Sequence, residues 1–343
     1  MKKLVRILMS ATMAAALSAC ASTGSSAAAS SEAPAASTEA AETSAAAAEE
    51  GKTYKIGIVQ LVQHPALDAA TKGFEDEVKA KLGNVEFDEQ NASGDSATAS
   101  QIANSFVTEG VDLIMANATP ALQASAAATN TIPILGTSVT EYGTALSIDN
   151  FSGTVGGNIS GTSDLAPLDQ QAAMFDELLP DAKNIGILYC NAEANSVYQA
   201  NVVQAALESA GKTVTVYTFT DTNDVQSVTQ KACSESEALY IPTDNTAASC
   251  ADVIDSVAEA ANIPIICGEE GIMSGCGIAT LSIDYYELGK TTGDMAVRIL
   301  KDGEDISTMP IEYYQNPVKE YMKDRCEKYG ITVPDDYTEY KAE

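Results

Sequence analysis

From Tyr54 onward the chain alternates two hydrophobic patterns. Short β-branched runs, bounded by polar residues, Gly or Pro, alternate with longer segments of helical spacing. Tyr54–Leu61 reads as a buried strand, and 65–82 as a helix with Leu67, Ala70, Phe74, Val78 and Leu82 on one face. Val85–Glu89 reads as a second strand, 95–108 as a helix, Val111–Ala116 as a third strand, and Thr119-Pro120 as the start of another helix. Thr131–Gly136 is a fourth strand, and Ala145–Asp149 is a candidate fifth. The order then starts again. Asn184–Tyr189 mirrors Lys55–Val59, Ile263–Ile266 mirrors Ile132–Leu135, and Leu281–Asp284 mirrors Leu146–Asp149, at a nearly constant offset of about 130 residues. Strands alternating with helices predict parallel sheets covered on both faces, and the repeat predicts two similar α/β, doubly wound lobes.

Three segments follow the second set: a helix over 285–300, a strand over 311–315 and a helix over 317–329. The predicted division is 54–161 with 284–311 for lobe 1, and 162–283 with 312–343 for lobe 2. The lobes are then joined by hinge crossovers. Asn158–Asp169 marks the first. It holds Gly161 for backbone freedom, Thr162, Ser163 and Asp164 as small polar groups, and Pro167 at a helix head. Free N–H groups at such a helix start can bind a small anion.

The N-terminus carries a different signal. Lys2, Lys3 and Arg6 precede a short apolar run that ends in Leu-Ser-Ala-Cys20, which reads as a secretory signal at 1–20. The Cys after Leu-Ser-Ala resembles a lipobox, so Cys20 is expected to be lipidated and to anchor the protein to a membrane without crossing it. Residues 21–53 are mostly Ala, Ser, Thr and Glu with one Pro, carry no bulky apolar side chain, and read as a disordered tether. The net charge of −29 excludes a nucleic-acid face and electrostatic docking on anionic lipid. Seven Cys and one His, with no C-x-x-C, give no zinc pattern and no cofactor motif. An even number of mature cysteines permits disulfides, Cys267 with Cys276 first, and buried thiols fit equally.

Ligands of open parallel sheets bind outside the carboxyl ends of the strands. The polar residues placed there are Gln60, Gln63 and His64; Asn117 and Thr119; Asn191, Glu193, Asn195 and Ser196; Thr243, Asp244 and Asn245; and Glu269 and Glu270. No Lys or Arg stands among them. Such a wall suits an ammonium held by Glu193 or Asp244, with a carboxylate met by helix-start N–H groups and the hydroxyls of Thr162, Ser163 and Ser196. Together these describe an α-amino acid. No G-x-S-x-G elbow, P-loop or G-x-G-x-x-G is present, so an enzyme is not expected.

The stretches Gly161-Thr162-Ser163-Asp164, Glu193-Ala194-Asn195-Ser196, Pro242-Thr243-Asp244-Asn245, Ile283 to Gly289 and Gly330 to Pro334 resemble the TrpX-like tryptophan/tyrosine substrate-binding lipoproteins of ABC transporters. Cys190-Asn191 departs from the Asn-Pro expected there. The resemblance implies a type I periplasmic-binding-protein fold, a monomer that closes on an aromatic or similar amino acid, and delivery to a permease with its ATPase. It places the chain outside the cytoplasm. A sugar binder of similar fold and an extracytoplasmic ligand sensor are the alternatives.

Overall fold

The protein was analysed as a computed structural model that describes residues 51–341. The signal, Cys20 and most of the tether lie outside the described residues. In chain order the elements are β1 (Tyr54–Gln60), α1 (Pro65–Leu82), β2 (Val85–Asn91), α2 (Ser96–Glu109), β3 (Leu113–Asn117), α3 (Thr119–Ala128), β4 (Ile134–Val139), α4 (Tyr142–Leu146) and β5 (Ile159–Ser163). They continue with α5 (Leu168–Leu178), β6 (Asn184–Cys190), α6 (Ala194–Ser209), β7 (Thr213–Phe219), α7 (Val225–Glu235), β8 (Ala238–Ile241), α8 (Asn245–Ser249), α9 (Ala251–Ala261), β9 (Ile265–Cys267), α10 (Glu270–Cys276) and β10 (Ala279–Ser282). The last are α11 (Tyr285–Leu300), β11 (Glu312–Tyr313), β12 (Val318–Tyr321), α12 (Lys323–Tyr329) and β13 (Thr338–Glu339).

Two sheets result. The first has the order β11-β5-β4-β3-β1-β2 and the second β13-β12-β10-β9-β8-β6-β7. Within both, the first five strands follow the same 2-1-3-4-5 order, all parallel, as the internal repeat predicts. The strand interiors are apolar because both faces are covered. Ile56, Ile58, Leu113, Met115 and Leu135 pack under α1 and α11, while Val59, Ile114 and Ile134 pack under α2 and α3. In the second lobe Ile185, Ile187 and Tyr240 face α5 and α6, and Leu188, Leu239 and Ile265 face α7 and α9.

Helix α11 comes back to the first lobe and lies along α1 at very close range. A Cβ on Gly289 would collide with the Ala70 carbonyl, so only glycine permits this approach. The chain crosses between the sheets at 164–167, 283–284 and 314–317, because β5 runs through Ser163 and β11 pairs with β5.

Several segments differ from expectation. Residues 142–146 are helix α4, not a strand, since the Glu141 carboxylate accepts the N–H groups of Gly143 (2.9 Å) and Thr144 (2.6 Å) and nucleates a turn. The fifth strand is Ile159–Ser163, so the sequence match of Leu146–Asp149 with Leu281–Asp284 pairs the end of α4 and the turn after it with the end of β10. Residues 318–321 are strand β12, antiparallel to β10, before α12 begins. Pairing with β10 on one side and β13 on the other holds them extended. Cys190, Cys233, Cys250, Cys267, Cys276 and Cys326 are all free thiols, and Cys267 and Cys276 are separated by helix α10 rather than by a loop.

Candidate functional site

The carboxyl ends of β1, β3, β4 and β5 in the first lobe and of β6, β8 and β9 in the second carry most of the buried polar side chains. On the first lobe His64 stands at the head of α1, 7% exposed, and its Nε2 meets Asn245 Oδ1 of the second lobe at 3.3 Å. The two lobes therefore touch through a buried polar contact. Burial lowers the His64 pKa, with Asn245 and the charges of Glu193 and Asp68 working the other way.

Backbone strain concentrates at the same edge. Ala118, which precedes α3, has φ 91°, and Ser138, at a register shift in β4, has φ 53°. Non-glycine residues held there are uncommon and cluster where structure over-determines them, as at binding sites. Gly161 in β5 has φ 146°. A Cβ there would run into the Gly136 carbonyl and lie 2.5 Å from the Tyr142 hydroxyl, which donates to the Thr162 carbonyl at 3.0 Å. This glycine lets the chain pass Tyr142 on its way to Asp164.

The second-lobe cluster is built round the N-terminus of α8. Glu193 accepts from Thr246 N (2.9 Å), Thr246 Oγ1 (2.8 Å), Asn245 N (3.1 Å), Asn245 Nδ2 (2.6 Å) and Asn195 Nδ2 (3.3 Å). Asp244 accepts from Ala247 N and from Cys190 N, both at 2.7 Å, so it caps α8 and ties it to the end of β6. Burial and the neighbouring Glu193 charge push its pKa up to about 8, with backbone N–H bonds and Ser196 in opposition. Thr243 Oγ1 donates to the Gly268 carbonyl at 3.2 Å, and Gln199 holds both the N–H and the carbonyl of Thr243. Glu269 caps α10 through Gly271 N (2.6 Å) and Ile272 N, and burial raises it to about 7.

Asp164 lies in the first crossover. Tyr285, the first residue of α11, donates its hydroxyl to Asp164 Oδ2 at 3.1 Å. Burial raises the Asp164 pKa to about 6, with the hydroxyls of Thr140 and Tyr285 working the other way.

Of the residues singled out in the sequence, Glu193, Asn195, Ser196, Thr243, Asp244 and Asn245 come together in one cluster. Asp164, Glu269 and Thr119 lie at neighbouring strand ends. Gln60 is held by Asp68 (2.6 Å) and Thr71 (2.7 Å) of α1. The Thr162 hydroxyl meets Thr292 of α11 at 2.8 Å, and Ser163 donates to the Thr140 carbonyl at 2.8 Å. These three hold the framework. Pro167 opens α5 without a side-chain cap. The tyrosines Tyr240 and Tyr286 hydrogen-bond to Gln171 and Asp76, away from the strand ends. Ser138 and Tyr285 escaped the sequence reading. Ser138 had no signal beyond its strand, and Tyr285 stood inside the Ile283-Asp284-Tyr285-Tyr286 run without a distinguishing feature.

Several buried polar atoms at these strand ends have no partner among the described residues: His64 Nδ1, Asn117 Oδ1, Thr119 Oγ1, Ser138 Oγ, Asp164 Oδ1 and Asn195 Oδ1. Buried polar atoms are nearly always bonded, so those at the strand ends are available to a ligand or to water. Helix α3 adds N–H groups without a side-chain cap at Ala118. A cavity of about 270 Å³ opens at the second-lobe cluster, where Leu61, Val62 and Pro120 face Cys190, Glu193 and Asn245; none of the residues with an unpartnered atom lines it.

Residues 55–343 match the family model described as ABC transporter substrate binding protein. A tyrosine-binding protein of Clostridioides difficile (strain R20291) is 36% identical over 267 residues, 76% of each chain. The structure of an ABC domain in complex with L-Trp from Streptococcus pneumonia superposes with a TM-score of 0.80 at 31% identity, over 84% of this chain and 99% of that one. The ligand-free, open structure of a substrate-binding protein with adhesive properties from Clostridium difficile gives 0.64 at 34% identity, over 85% and 100%. The two-sheet architecture and the family match agree: the chain belongs to the ABC transporter substrate-binding proteins, a family that binds its substrates rather than transforming them.

Proposed function

We propose that this protein captures an α-amino acid with an aromatic side chain between its two lobes and presents it to the permease and ATPase of an ABC importer. The observation that carries the reading is the set of unpartnered buried atoms at the strand ends, on a wall with acidic groups and no Lys or Arg. An amino acid supplies what that wall lacks: one cationic group and one anionic group on the same carbon. The carboxylate fits the open N-terminus of α3, where Thr119 and Ser138 offer hydroxyls. The side chain fits the cavity where Leu61, Val62, Pro120 and Ala192 supply apolar surface among polar residues such as Asp95, Glu193, Asp221 and Asn245. Relatives that bind tyrosine and tryptophan support the aromatic class.

The ligand is held by closure of the lobes about the three crossovers, and the permease reads the closed form. His64 and Asn245 meet across the cleft only in that form. The protein works outside the cytoplasm as a monomer, held to the membrane by lipid on Cys20. Among the described residues no helix is long and apolar enough to cross a membrane.

A thermal-shift and calorimetric screen of the purified protein against the twenty amino acids, hexoses and nucleosides tests this. An aromatic amino acid at 100 to 1,000 times its Kd should add about 3–4 kcal/mol of stability. A response to sugars or nucleosides alone would overturn the proposal.

A further inference from the structure

We infer that Asp164 receives the ligand's ammonium group and that Tyr285 is the positioning residue that holds Asp164 for it. This rests on the amino-acid reading and adds to it which carboxylate is used.

Four buried carboxylates stand at the cleft, and three are already consumed. Glu193 accepts five hydrogen bonds round the start of α8. Asp244 gives one oxygen to Ala247 N and the other to Cys190 N. Glu269 gives its oxygens to Gly271 N and Ile272 N. An ammonium approaching any of these competes with backbone donors that have no other acceptor. Asp164 differs. It is 4% exposed, its Oδ2 accepts the Tyr285 hydroxyl, the Thr140 hydroxyl also favours its ionised form, and its Oδ1 has no hydrogen-bond partner among the described residues. A buried carboxylate with an empty oxygen is costly unless a cation or donor comes to it.

Position strengthens the assignment. Asp164 is in the crossover between β5 and α5, and Tyr285 begins α11 just after the second crossover. Their hydrogen bond joins two of the three connecting segments. A charge arriving at Oδ1 is therefore felt where the lobes pivot. The titratable groups about Asp164 are Tyr285, Tyr142 and Glu269, none of them a cation.

Protonation gives the experiment. Burial holds the Asp164 pKa at about 6, so near pH 6 the free protein carries about half a proton there. An ammonium binds the ionised form and expels that proton. Calorimetry of the wild-type protein with L-tyrosine at pH 6, in two buffers of different ionisation enthalpy, should show release of about half a proton, falling near zero at pH 8. A second comparison uses 3-(4-hydroxyphenyl)propionate, which is tyrosine without its amino group. Wild type should prefer L-tyrosine by about a hundredfold or more, and Asp164→Asn by less than about tenfold. Tyr285→Phe removes a donor to the ionised carboxylate, so the pH of half-maximal proton release should move up and L-tyrosine should bind more weakly at pH 6 than at pH 8. Binding of L-tyrosine to wild type with no proton release at pH 6, or an Asp164→Asn variant that keeps the hundredfold preference, would overturn the assignment and leave the amino-acid reading intact. Failure of both L-tyrosine and L-tryptophan to bind wild type would overturn the reading and the assignment with it.

Discussion

The buried acids at the cleft should make the ligand-free protein unusual in its response to pH. Asp164 and Glu269 hold protons up to about pH 6 and about pH 7 when folded, against roughly 3.9 and 4.3 for exposed carboxyls in an unfolded chain. The folded state therefore binds more protons than the unfolded state. Stability from these two groups is fully present below about pH 4 and is lost as pH rises through their folded values. Each tenfold difference in proton affinity between the two states is worth about 1.4 kcal/mol. Between pH 5 and pH 8 the pair should cost on the order of 3–4 kcal/mol. His64 acts in the opposite sense, since burial lowers its pKa and its contribution is lost as pH falls below about 6.5. The clean measurement is therefore a difference between proteins. The double variant Asp164→Asn, Glu269→Gln keeps His64 but has no carboxyl to ionise at either place. Its stability relative to wild type should rise by about 3 kcal/mol from pH 5 to pH 8, read as roughly 10 °C in the difference of melting temperatures. Calorimetric scans at half-unit steps of pH give the curve. A constant difference between the two proteins across that range would refute the argument, because it would mean that neither carboxyl changes protonation there.

Three other outcomes are expected. Glu193→Gln replaces an acceptor of five hydrogen bonds by a group that can accept with only one oxygen, so it should destabilise the protein by about 2 kcal/mol in urea titrations, with relief of its repulsion of Asp244 limiting the loss; an unchanged midpoint would show that α8 does not depend on it. Small-angle scattering should give a larger radius of gyration without ligand than with saturating L-tyrosine, and identical profiles would argue against hinge closure. Cys20→Ala should move the protein from the membrane fraction into the soluble fraction, and unchanged fractionation would remove the lipid anchor from the proposal.

Much of the fold could be read because buried parallel strands leave a strong trace. Runs such as Lys55-Ile56-Gly57-Ile58-Val59 and Asn184-Ile185-Gly186-Ile187-Leu188 have nowhere to go but between two helical layers. The failures have local causes. Residues 145–149 look like a strand only if Glu141 is ignored, and a side chain accepting two backbone N–H groups outweighs the weak β preference of Ala-Leu-Ser-Ile. The fifth strand was missed because Ile159-Ser160-Gly161-Thr162-Ser163 has one bulky apolar residue. It is a strand through its neighbours: β4 on one side, β11 on the other, and Tyr142 beneath the glycine. Residues 318–321 read as helix because a four-residue strand carries little periodicity of its own.

The site was legible as a neighbourhood but not as a set of roles, and the reason is general to polar residues at strand ends. Sequence shows that an acid stands after a strand; it does not show how many donors surround it once folded. Glu193 and Asp244 follow strands and look like ideal partners for an ammonium, yet Glu193 has both oxygens turned to the start of α8, and Asp244 divides its two between α8 and the end of β6. Asp164 follows Gly161-Thr162-Ser163 and reads as one more helix cap. It caps nothing, because α5 starts four residues later at Leu168 with Pro167 before it, and the chain between is spent crossing from one sheet to the next. That detour leaves the carboxylate buried with hydroxyl groups but no backbone N–H of a helix start for company. The distinction between a carboxylate that organises the protein and one that awaits a ligand therefore lies in the count of unmet lone pairs. That count exists only after β5, α11 and the crossovers have been brought together.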